Sequence, residues 1–124
     1  MKRISLALAA AVAVLVAYAA VPAVPAVTAM STPKLVGTVG PGFTIKLKRN
    51  GQKVTTLKAG KYTLVVSDKA GIHNFVLEGK GFEKAVTTVP FTGTKTMTVT
   101  LKKGKYEYYC EPHETQMHGD FKVT

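Results

Sequence analysis

Cysteine is nearly absent from this 124-residue chain: Cys110 is the only one. An intramolecular disulfide is therefore excluded, and the lone thiol is either a small core hydrophobe or held by a metal. Acidic residues are also scarce, 7 against 17 Lys and Arg, giving a formal charge of +10. No helical periodicity appears along the chain, so amphipathic helices are not expected. Internal repeats are missing, and so is the glycine-rich elbow that would present a nucleophile.

What is present begins with the N-terminus. Lys2 and Arg3 precede an unbroken apolar run from Ile4 to Val21, and small residues follow. This is the pattern of a secretory signal peptide. Cleavage is expected after Ala29, with Ala19, Ala23 and Ala26 as alternative positions. If the leader is not cleaved, the run borders on spanning length and associates the chain with a membrane. No cysteine lies near its end, which excludes a bacterial lipoprotein anchor.

Residues 1–29 are thus read as a leader and 30–124 as one domain, exported to a periplasm, cell envelope or extracellular space. That domain carries 15 Lys and Arg (17 minus Lys2 and Arg3) against 7 acids, a charge of +8. Such a surface favours an acidic partner or anionic headgroups. The alternative is that its lysines serve solubility and guard sheet edges. Nucleic acid is not an expected partner, because the compartment is wrong and the lysines are scattered.

From Leu35 onward, short alternating segments are separated by turn signals. Phe43–Lys48 alternates apolar and polar residues and breaks at Asn50-Gly51. Residues 52–57 read as a weaker strand, 61–67 and 73–78 as strands, and 86–89 as a short edge piece before Pro90. Residues 94–101, 105–110 and 119–124 follow. Seven or eight strands without helices predict an antiparallel β-sandwich or closed barrel. The expected core is Phe43, Ile45, Leu47, Tyr62, Leu64, Val66, Phe75, Leu77, Met97, Val99, Leu101, Tyr106, Tyr108 and Phe121.

Cys110 stands in Tyr109-Cys110-Glu111-Pro112-His113-Glu114-Thr115-Gln116-Met117-His118-Gly119. The Cys-x2-His-x3-Met spacing suits a loop wrapped around one ion, and His73 in Gly71-Ile72-His73-Asn74-Phe75 can complete the set. A thiolate, two imidazoles and a weak thioether suit copper cycling between Cu(I) and Cu(II). Taken singly, His73 reads as a surface residue, Met117 as loop packing and Cys110 as core; their joint occurrence points to a metal. His118 reads as an exposed histidine, and Glu111 and Glu114 as solvated charges.

These two segments resemble those of the cupredoxin family, with plastocyanin, pseudoazurin and amicyanin as the nearest members. The resemblance implies a Greek-key sandwich with His73, Cys110 and His113 as equatorial ligands of one copper ion and Met117 as the axial ligand. It gives Asn74 the task of tying the ligand loops together and bonding the thiolate through its N–H. Pro112, lacking an N–H, cannot donate to the sulfur. Three residues separate His113 from Met117, where plastocyanin-like loops often have four and amicyanin-like loops two, and this bears on axial distance and redox potential.

The function expected is a monomeric type 1 copper electron carrier. By the resemblance, electrons pass through His113 within an apolar patch, for which Ile72, Pro112 and Pro41 are the expected members. The alternative is a copper carrier or storage protein that hands its metal to another exported protein. An enzyme with a Cys110 nucleophile is not expected, because it needs an orienting third group and a cleft. Structural zinc fits poorly with a methionine ligand, and a binuclear copper site would need a second cysteine.

Overall fold

The computed structural model describes residues 10–28 and 30–124. Lys2, Arg3, the start of the apolar run and the expected cut at Ala29 lie outside the described residues. Residues 10–28 are exposed and without regular secondary structure. Among the described residues, no helix is long and apolar enough to cross a membrane.

The described residues form ten strands: β1 (Lys34–Val39), β2 (Ile45–Arg49), β3 (Gln52–Lys53), β4 (Thr56–Leu57), β5 (Gly60–Asp68), β6 (Val76–Gly79), β7 (Phe82–Ala85), β8 (Gly93–Leu101), β9 (Gly104–Tyr109) and β10 (His118–Val123). They form two five-stranded sheets, β3-β2-β1-β5-β8 and β4-β10-β9-β6-β7. This is the all-β sandwich expected from the alternation. Setting aside the two-residue β3 and β4 leaves eight strands. Most pairs are antiparallel, but β1 runs parallel to β5 and β10 parallel to β4. Both parallel pairs join strands distant in sequence, so no turn dipeptide could announce them.

Period-two alternation sorts the side chains. In β5, Tyr62, Leu64, Val66 and Asp68 point inward, while Lys61, Thr63, Val65 and Ser67 point outward. Tyr106 and Tyr108 of β9 and Phe121 and Val123 of β10 close the opposite side of the core. Their aromatic rings lie over glycines: Gly79 is opposite Tyr106 and Gly119 opposite Tyr108. A Cβ on Gly119 would stand 2.4 Å from Cζ of Tyr108, so the bare backbone makes room for the ring.

Several boundaries differ from expectation. The β2 strand starts at Ile45, because Gly40 N–H bonds Thr44 O at 2.9 Å and Thr44 N–H bonds Gly42 O at 2.8 Å, closing a loop before it. Phe43 is therefore 55% exposed at the loop tip and not in the core. The 52–57 segment is two strands in different sheets, divided by the buried Val54, so it crosses from one layer to the other. The edge strand is Phe82–Ala85 rather than 86–89. Val86 and Thr87 instead both donate to Phe75 O, at 2.8 and 3.4 Å. Asn50 and Gly51 turn the β2–β3 hairpin with φ of 51° and 77°, as that dipeptide predicts.

Candidate metal centre

Three chain segments meet at one pole of the sandwich. β9 ends at Tyr109, so Cys110 is the first residue past the sheet. A single 3₁₀ turn, Glu111–His113, follows with Pro112 in its first positions. Four backbone bonds fold the loop on itself: His113 N–H to Cys110 O at 3.1 Å, Gln116 and Met117 N–H to His113 O at 3.0 and 2.8 Å, and Cys110 N–H to Met117 O at 3.0 Å. The last bond pins the ends of the Cys-x2-His-x3-Met segment against each other. His73 arrives from the loop before β6, which begins only at Val76, so residues 73–75 are not strand as expected.

The donor atoms converge. Cys110 Sγ lies 3.6 Å from both His73 Nδ1 and His113 Nδ1, and the two nitrogens are 3.1 Å apart. A triangle with sides of 3.1, 3.6 and 3.6 Å has its equidistant point about 2.0 Å from each corner, which suits the two imidazole nitrogens and is shorter than the roughly 2.3 Å of a metal–thiolate bond. Two nitrogens facing each other so closely require a proton or a cation between them, and the neighbouring sulfur makes a soft cation the better fit. Cys110 and His73 are 0% exposed and Met117 1%, while His113 is half-buried. Met117 packs in the same buried cluster as Cys110.

Asn74 clamps the two loops: its Oδ1 accepts from Glu111 N–H at 2.8 Å and its Nδ2 donates to Glu111 Oε2 at 3.4 Å. Glu111 therefore serves the clamp, a role beyond the solvated charge expected of it. Phe43 is the residue the sequence misplaced. Its ring meets His113 at 4.9 Å and 90° and His73 at 5.4 Å and 71°, while the two imidazoles meet at 4.9 Å and 79°. The three rings form one edge-to-face group. The only signal in the sequence was Pro41-Gly42 immediately before Phe43, a turn dipeptide that argued against strand there.

Ile72, Pro112 and Pro41 are all exposed beside these groups in the chain. His118 is exposed on the outer face, 3.5 Å from Glu107 Oε1. With Asp120 it forms a second group of metal-capable side chains away from Cys110. Burial, and then the facing Asp120, push Glu107 above the usual carboxylate range. Burial, followed by Glu83, Glu78, Glu114 and Glu111, pushes Tyr109 up to about 12.

The sequence profile of copper binding proteins of the plastocyanin/azurin family matches residues 42–124. The chain belongs to this family. Among solved structures, this cupredoxin is similar to the copper protein rusticyanin, at 20% identity and a TM-score of 0.55, covering 77% of this chain and 80% of that one. Reduced rusticyanin matches at 23% identity and 0.55, covering 78% and 82%. A reduced mutant of amicyanin matches at 15% identity and 0.50, covering 77% and 86%. These likenesses carry the fold. No curated protein matches the sequence. Copper is the metal of the family, and the thiolate, imidazoles and thioether gathered here suit it.

Proposed function

We propose that this cupredoxin is an exported type 1 copper electron carrier, with His73, Cys110 and His113 as equatorial ligands and Met117 as the axial one. The observation that carries the reading is the convergence of one sulfur and two nitrogens within 3.6 Å of one another. Bound copper supplies a one-electron couple. The chain holds the ligands in place: the Asn74 clamp, the closed 110–117 loop and the Phe43 ring oppose rearrangement between oxidation states. Little rearrangement means fast electron exchange.

Burial separates this reading from copper hand-off. A carrier that exchanges its metal needs accessible ligands, whereas His73, Cys110 and Met117 are almost wholly covered. His113 is the half-buried one, with the exposed Phe43 ring against it and exposed Pro112 before it in the chain; Ile72 and Pro41 are exposed as well. That apolar rim fits a small, short-lived contact with a redox protein. The charge of +8 over residues 30–124 favours an acidic one. Export rests on the Lys2-Arg3 n-region and the apolar run after it.

The test is Cu(II) added to the purified protein, followed by visible spectroscopy beside Cys110→Ser. Intense thiolate-to-copper charge transfer is expected in the wild type and none in the variant. Equal spectra would sink the assignment.

A further inference from the structure

Among the described residues, two buried polar atoms near the metal pole have no hydrogen-bond partner: Asp68 Oδ2 and His73 Nε2. Buried groups of this kind ordinarily find one, so each calls for an explanation. Their chemical types are complementary. With His73 Nδ1 turned toward Cys110 and His113, a neutral ring carries its proton on Nε2, making that atom a donor. Asp68 Oδ2 is an acceptor.

The backbone brings the two residues together. Asp68 is the last inward-facing residue of β5 and 2% exposed; His73 is fully buried. Ala70 N–H donates to Asp68 Oδ1 at 3.3 Å, and His73 N–H donates to Ala70 O at 3.1 Å, so a double turn through Ala70 links the two residues. Gly40 lies against that turn, next to Val39, the register partner of Asp68. A Cβ on Gly40 would stand 3.1 Å from Ala70 Cβ and 3.4 Å from His73 Cδ2, the ring carbon bonded to Nε2. Direct hydrogen bonding does not join the carboxyl and the ring.

We propose that one ordered water bridges His73 Nε2–H to Asp68 Oδ2, making Asp68 the positioning residue for His73. The idea rests on His73 Nδ1 being a copper ligand. A bridging water satisfies both atoms at once. It fixes the tautomer and the ring plane, and a donor bond from Nε2–H toward a carboxyl makes Nδ1 more basic. A more basic nitrogen favours Cu(II), so the Asp68 contact lowers the reduction potential.

A crystal structure of the copper-loaded protein should show a water within hydrogen-bond distance of both atoms. A different acceptor on Nε2, or a dry gap, overturns the proposal. Asp68→Leu should shift the potential upward, and Asp68→Asn should shift it less; equal potentials in all three proteins overturn it. Should Asp68→Leu fail to fold, nitrogen NMR of metal-free Asp68→Asn decides, with the His73 Nε2 proton expected to exchange several-fold faster than in the wild type. An unchanged exchange rate counts against the bridge. Failure of the copper reading looks different, because the wild type would then show no charge-transfer band at all.

Discussion

On the outer face of the β3-β2-β1-β5-β8 sheet, Lys34, Lys46, Lys48 and Lys61 stand among Thr63, Thr96, Thr98 and Thr100. On the outer face of the other sheet, Glu83, Glu78, Glu107 and Asp120 lie level across β7, β6, β9 and β10, each the register partner of the next. Among the described residues, the one ion pair made with this row is His118 to Glu107. The acids of the domain thus gather in one row, bordered on the same face by the exposed pair Lys105 and Lys122, and the net charge hides that row. Cys110 and Met117 flank strands of the sheet that carries this row, just past β9 and just before β10, and His73 precedes β6. The basic sheet contributes Phe43 and Asp68 to the pole. The loops beside one sheet carry the soft donors, and the other sheet supports them.

The largest expected effect separates the two sheets by stability. Gly119→Ala forces a methyl group into the Tyr108 ring, which is buried and cannot retreat, and should cost about 1–3 kcal/mol in urea unfolding. Thr98→Ala on the open face of β8 should change stability by less than about 0.5 kcal/mol. Comparable losses would show that the sheets are packed alike and that the glycine cradle is incidental.

Charge gives the next comparison. Replacing Lys46 and Lys48 together by Glu should slow electron exchange with an acidic redox protein by about tenfold at low salt, and the difference should fade as ionic strength rises. Glu107→Gln with Asp120→Asn should leave that rate nearly unchanged or raise it. If the acidic-side pair slows exchange as much, steering does not follow the basic face.

The smallest effect concerns Tyr109, whose phenol is pushed up to about 12 from an ordinary value of 10.0. The folded chain keeps a proton there that the unfolded chain releases, so the stability this proton lends is present below pH 10 and lost as pH rises toward 12. Burial raises Tyr108 as well, so phenolate absorbance against pH should show a late-titrating component that Tyr109→Phe diminishes. One more phenolate in the wild type than in Tyr109→Phe already near pH 10 would mean that neither burial nor the neighbouring carboxylates hold this proton on.

The parts legible in the sequence were those whose partners lie close along the chain. Cys110, His113 and Met117 share one loop closed by its own backbone bonds, so their spacing, joined with His73-Asn74 upstream, pointed to a metal. The Asn50-Gly51 hairpin and the long alternating runs of β5 and β8 were equally local. Phe43 was misread because Phe43-Thr44-Ile45 continues the period of β2, while the bonds that end the strand at Ile45 involve Gly40 and Gly42. The 52–57 segment was read as one strand because nothing in its residues says that its halves pair with Lys48 and with Lys122.

By itself, then, the sequence determined an all-β domain and a soft donor set for copper, because alternation and ligand spacing are properties of neighbouring residues. Only the tertiary structure decided which acids form a row, which ring packs on both imidazoles, and which buried carboxyl lies near His73. Those depend on register between strands far apart in the chain, and register is fixed by how two sheets bury their inner faces against each other.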